Sequence, residues 1–496
     1  MGVVARQSIK YGFVGYFSVL IGIFSTLFIY PNDLEFAGKL QFILPTALLI
    51  FPLVSIGIIP ANIRFFPRLS KTNDHFNLLK FSALFLISNF IFVTILFFIA
   101  SFLFPRIQKM DIWQMALYVF PVLFILSLIQ LISKYISIKK RIVVPNILEN
   151  VLPKLGMISA FLAYSHFNFS EKNAILVFVS FFVLALFGMV VYLLKLDAIP
   201  AKTSFQFLKE NNFQKELLTF SFYTFFGSLG SVVALNIDTY MIGEFLGYSD
   251  IAIYNTSFNL VRMITVPALG VYTISAPIIA DYIENNKLKE LKDLHHKTSL
   301  YLFTLGAVLF SLIVVGIDDL FLLMKNGAIL SQGKNVIYIM GFALLFDLAT
   351  GFNGYIITNS KYYKFNNTTT FALAFLTISS NLFFIFYLKL GIIGVATATS
   401  ISITLYNVIK IWFNYKKFGV HPFSNQYFYS IGFIILSILI GFILPNSDSK
   451  SLNLCYKPFV VLILFFVGNS IFKVIPIAEL VPKKIKHFFS SGTQSH

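Results

Sequence analysis

Runs of about 20 residues without a charged side chain recur along this chain, and that recurrence limits its fold more than any other feature. Wholly uncharged runs include Tyr11–Tyr30, Phe81–Phe104, Trp113–Ser133, Asn173–Leu194, Thr298–Ile317, Phe365–Leu388 and Leu390–Ile409. Val143–Ser165, Leu217–Phe245, Ile251–Ala280 and Asn335–Ser360 carry one or two charges each, and Leu40–Ala61, Tyr427–Leu444 and Leu454–Phe472 complete the set. By length these make about 14 helices able to cross a bilayer. Strand barrels need alternating segments of about ten residues, and these runs do not alternate. Charged residues make up 12% of the 496 positions and hydrophobic ones 57%, whereas soluble domains carry about 25% charge. The pattern excludes an ordinary soluble enzyme, a disordered chain, collagen and a disulfide scaffold. The one cysteine, Cys455, has no partner for an internal disulfide.

The net charge of +17 is explained by where it falls. With both termini and the even-numbered connections taken as one side, 27 of the 38 Lys and Arg residues lie there and nine on the other; Lys154 and Arg262 fall inside spans. This bias places both termini in the cytoplasm and requires an even number of spans. No nucleic-acid partner is needed to explain the charge. The first run follows Arg6 and Lys10 but has no A-x-A cleavage pattern, and reads as a retained helix.

The longest polar stretch, residues 195–216, reads as a linker between a six-helix bundle at 1–194 and a second at 217–420. Two extra helices and a cytoplasmic tail occupy 421–496. Because six is even, both halves enter the membrane in the same direction, as repeats related by an axis along the membrane normal do. The second helix of each half is expected to end at a proline, Pro60 and Pro277, ahead of a polar stretch. Residues 281–296 place Ile283, Leu288, Leu291 and Leu294 on one face. They read either as an interfacial helix or as an extension of the eighth span.

Several stretches resemble one family. NIDTYMIGEFLGYSDIAIYN at Asn236–Asn255 and PALGVYTISAPIIADY at Pro267–Tyr282 look like the seventh-to-eighth helix signature of bacterial polysaccharide exporters. Gly354–Asn366, Leu390–Ser402 and Ala61–Leu69 resemble further stretches of those proteins, in the same order. The chain thus resembles polysaccharide biosynthesis proteins of the oligosaccharide flippase type, within the multidrug/oligosaccharidyl-lipid/polysaccharide exporter superfamily. The resemblance implies an all-α polytopic membrane protein: two six-helix bundles around a central cavity plus two C-terminal helices, working by alternating access. It implies flipping of an undecaprenyl-pyrophosphate-linked oligosaccharide across the bacterial inner membrane, among membrane lipid, for lipopolysaccharide or other surface polysaccharide assembly. A polysaccharide polymerase and a chain-length regulator are the implied partners.

No cofactor, metal or catalytic site is expected. The nearest approach to a phosphate-binding loop, Gly327 to Gly333 and Lys334, has five intervening residues and no Ser or Thr after the lysine. The histidines form no zinc pattern, and no long outer loop exists to hold the active site of a glycan polymerase. Charges inside spans are costly, about 2.5–3.5 kcal/mol at mid-membrane, and are retained mostly for function. Arg262, one of six arginines, suits bidentate contact with pyrophosphate; otherwise it pairs with an acid such as Asp238. Lys154 adds a second cavity cation or pairs with Glu149. Asp238 orients Arg262 or couples an ion, or makes a helix-end contact. Asp347, Glu149 and Glu244 are candidates for ion coupling or gating, against structural pairing or solvation. A cation-coupled multidrug exporter is the alternative. That class would favour an acid in the first two helices, and Tyr11–Tyr30 and Leu40–Ala61 contain none.

Overall fold

The computed structural model describes residues 3–209 and 212–472. The expected tail, with Lys473, Lys483, Lys484 and Lys486, lies outside the described residues, as does Glu210 of the linker. Among the described residues there are helices and no strand. Thirteen helices are long and apolar enough to cross a membrane, and a fourteenth is a bent pair. In chain order they are α1 (Lys10–Asn32), α2 (Leu34–Ser55), α3 (Asp74–Leu103), α4 (Ala116–Ile138), α5 (Val143–Ser165), α6 (Glu171–Leu196) and α7 (Phe213–Phe245). There follow α8 (Tyr248–Tyr272 with Ile274–Glu284), α9 (Leu288–Leu323), α10 (Gly327–Thr350), α11 (Tyr363–Tyr387), α12 (Gly391–Phe418), α13 (Gln426–Ile443) and α14 (Lys450–Ile471). The pieces of α8 are bent by 52°. By contact the chain forms two units. One holds residues 1–260, 324–340 and 361–406, the other 261–323, 341–360 and 407–496.

In the first unit the helix boundaries follow local chemistry. Asp33 caps α2 by accepting from the Phe36 N–H at 2.9 Å. The helix stops where Ile56 and Gly57 turn left-handed, at φ 37° and 73°. A Cβ at Gly57 would lie 2.1 Å from the Ser221 carbonyl oxygen, so close approach and positive φ both call for glycine here. The chain then resumes as a short helix, Ile58–Leu69. Pro60 therefore does not end the second helix; it sits in the first turn of the next one, where a missing N–H costs nothing. That short helix buries Ile58, Ile59, Ala61, Asn62, Phe65 and Leu69 and exposes Ile63, Arg64, Pro67 and Arg68.

α3 and α4 show the two ways an apolar helix is used. α3 exposes Ile91, Phe92, Ile95, Phe98, Ile99 and Phe102, side chains that lipid can solvate. α4 buries Val119, Val122, Leu123, Ile129 and Ile136 among its neighbours. In α5, Pro153 cannot donate to the Glu149 carbonyl, and the turn before it widens to a π-helix over Ile147–Val151. The linker lies against this unit: the Lys80 ammonium donates to the Lys202 carbonyl at 2.9 Å and the Thr203 hydroxyl at 3.0 Å, and Phe207 is buried.

In the second unit Pro277 lies inside the helix Val266–Glu284 rather than at its end. Leu288, Leu291 and Leu294 begin the 36-residue helix Leu288–Leu323. They belong to the ninth span, not to the eighth or to an interfacial helix. Leu291 is fully buried with Ile279, Phe352, Ile356 and Val420, and Leu294 packs against that cluster; the apolar face is satisfied by protein.

α14 docks on α9 through a buried polar contact. Asn453 donates to Asp319 at 3.3 Å, and Lys457 pairs with Asp319 at 3.6 Å, their side chains 11% and 9% exposed. Removing one partner of a buried pair strands the other charge at about 3–5 kcal/mol. Asp319→Ala should therefore lower the melting temperature of the purified protein markedly, and Asp319→Leu combined with Lys457→Met much less. Equal losses in the two variants would mean the pair is not what holds α14.

Candidate functional site

The first unit places Asp238 in the last third of α7, half-buried, with three buried groups converging on its carboxylate. The Tyr254 hydroxyl of α8 donates to Oδ2 at 2.8 Å, the Asn381 amide of α11 to Oδ1 at 2.8 Å, and the Thr399 hydroxyl of α12 to Oδ2 at 2.7 Å. The Asn381 carbonyl oxygen is buried without a hydrogen-bond partner among the described residues. A second polar chain runs alongside: the Thr239 hydroxyl donates to Asn255 at 3.3 Å, and the Asn255 amide donates to Gln41 of α2 at 2.9 Å. Four helices of one unit are thus tied through one carboxylate, with polar groups an apolar span would otherwise leave orphaned.

α5 carries two expected residues. The Lys154 ammonium donates to the Ser18 carbonyl of α1 at 2.7 Å, and Gly22 leaves it room, since a Cβ there would stand 3.3 Å from the nitrogen. Glu149 lies in the π-helical turn, and its Oε1 is buried without a hydrogen-bond partner among the described residues. Glu244, at the end of α7, accepts from the Asp111 N–H at 3.1 Å. Burial raises the Asp111 carboxyl above the usual carboxylate range, with the nearby Lys39 charge opposing it.

The second unit holds the other two. Arg262 is exposed, at the point where the α-helix Tyr248–Arg262 gives way to a 3₁₀ turn, Met263–Thr265. The Thr265 hydroxyl donates to the Arg262 carbonyl at 2.8 Å, and Pro267 cannot donate to the Met263 carbonyl. Asp347 of α10 accepts from the buried Asn407 amide of α12 at 2.8 Å, with the Lys410 charge nearby.

Of the six expected residues, Glu149, Lys154, Asp238 and Glu244 fall in the first unit, Arg262 and Asp347 in the second. The uncharged donors Tyr254, Asn381, Thr399 and Asn407 were not picked out from the sequence. Their only signal is polarity within apolar runs, which many packing residues share.

These spans define an all-helical polytopic membrane protein with the fold of transporters of the MOP superfamily. The fold is similar to that of the lipid II flippase MurJ in an inward closed conformation, with a TM-score of 0.68 and 14% identity over 94% of this chain and 98% of that one. It is also similar to a multidrug resistance MATE family transporter in its inward-facing conformation (0.64, 12% identity, 81% and 94% covered). The outward-facing conformation of a MATE transporter gives 0.56, at 14% identity over 84% and 95%. Residues 33–283 match the family described as polysaccharide biosynthesis protein, and residues 224–366 match MatE. No curated protein matches. The chain belongs to the polysaccharide biosynthesis protein family.

Proposed function

We propose that the protein flips an undecaprenyl-pyrophosphate-linked oligosaccharide across the bacterial inner membrane for surface polysaccharide assembly. Family membership carries this reading, and the likeness to a lipid II flippase fold supports it. The halves 1–194 and 217–420 alternate access, with both termini in the cytoplasm, and hand the cargo to a polymerase acting with a chain-length regulator. Arg262 and Lys154 bind the pyrophosphate. Asp238 joins them in the substrate cavity, orienting Arg262 or coupling an ion, and Asp347, Glu149 and Glu244 serve ion coupling or gating.

The test is the surface glycan of a deletion strain with and without the plasmid-borne gene. Loss of polymer, restored by the gene, with lipid-linked repeat units accumulating on the cytoplasmic leaflet, is the expected result. Unaltered glycan together with increased dye sensitivity would replace this reading with multidrug export.

A further inference from the structure

The first unit contains a cleft of about 520 Å³ that none of these roles uses. Its walls come from three segments far apart in sequence: the short helix after α2, the start of α7 and the start of α11. Each wall brings a cation, namely Arg64, Lys215 and Lys364. No ion pair involving any of the three is found among the described residues. Among the described residues, the one acid in the lining, Glu216, is held by Arg68 at 3.0 Å. Among the described residues, the cleft therefore carries three positive charges with no ion-pair partner.

Aromatic rings set their geometry. The Arg64 guanidinium lies 4.6 Å from the Phe220 ring centroid, close enough for a cation–π contact. That contact orients a planar fork able to bind two oxygens of one phosphate. Tyr223 and Tyr363 are exposed in the lining and offer amphipathic faces beside the charges. The cleft lies where α7 and α11 begin, on the side that the lysine and arginine bias assigns to the cytoplasm. The bias accounts for basic residues on that side. It does not account for three of them meeting in one cavity with tyrosines.

We propose that this cleft is a docking site for a membrane-borne phosphate, the headgroup of a phosphorylated lipid at the cytoplasmic surface. Resting on the flippase reading, its cargo is the polyprenyl pyrophosphate before transport; a bulk anionic phospholipid offers the same chemistry.

The purified full-length protein in phosphatidylcholine nanodiscs, analysed by native mass spectrometry, tests the site. One arm titrates undecaprenyl pyrophosphate, the other phosphatidylglycerol. Arg64→Ala and, on a separate helix, Lys364→Glu should each weaken binding about tenfold, as loss of one charge-assisted contact does. That loss in the first arm supports the site and assigns it to the carrier; loss confined to the second supports it and assigns it to bulk lipid. Binding of neither probe, or binding unchanged in both variants, overturns it. If export is restored equally by wild type and Arg64→Ala while binding is unchanged, the site fails and the flippase reading stands. If deletion leaves the glycan intact while the variants lose binding, the flippase reading fails and the site stands.

Discussion

Arg262→Ala should abolish polymer export while the protein still accumulates in the membrane at wild-type level. The expectation rests on two observations. An arginine within an apolar span costs about 2.5–3.5 kcal/mol to insert, so its retention calls for a use. The side chain is exposed, at a point where α8 leaves regular helix for a 3₁₀ turn; removing it therefore leaves no cavity in a packed core. Each charge-assisted hydrogen bond lost from the fork costs about 1.5–3 kcal/mol, so losing two together is a loss of roughly a hundredfold or more. Lysine at the same position should recover part of the activity, because it keeps the charge but loses the fork that engages two oxygens at once. The measurement is surface glycan in the deletion strain, normalised to membrane-inserted protein. Wild-type export by the alanine variant would remove Arg262 from the cargo path.

The spans were legible because lipid leaves no alternative. Fourteen apolar runs, bent pair included, reappear as fourteen helices, and α3 could hardly be misread with so much of it exposed. The boundaries were less legible, and the reason is physical. Hydropathy registers neither a cap nor a left-handed turn. The run Leu40–Ala61 hides the break at Ile56 and Gly57, because the chain stays apolar through it. Its true start lies back among Asp33, Glu35 and Lys39, where the cap is. α9 was shortened for the opposite reason. Its first turns are rich in charge, yet Leu291 and His295 on the inner face are fully buried. Charge inside a span singles out Asp238 in the sequence. What it could not supply was company: Tyr254, Asn381 and Thr399 lie 16, 143 and 161 residues away, and only tertiary structure brings them together.

That company makes Asp238 the second position where a large effect is expected. Three donors aim at its two oxygens within 2.8 Å, and all three donor residues are buried. Asp238→Ala strands them together. Each orphaned polar group costs about 1–3 kcal/mol, a total comparable with the whole stability of a typical domain, so this variant should fail to accumulate. Asp238→Asn is the informative change. It keeps the shape, and the Tyr254 and Thr399 hydroxyls can rotate to accept from the new amide, so the protein should insert and melt nearly as wild type. It removes the negative charge. If that charge couples export to an ion, the asparagine variant should export little polymer at any ion gradient, while the wild type responds to the gradient in inverted vesicles. Full export by Asp238→Asn would show that the carboxylate only fastens α7 to α8, α11 and α12. Export lost along with the folded protein would point to the same structural role, which is why glycan and melting temperature must be read from the same preparation.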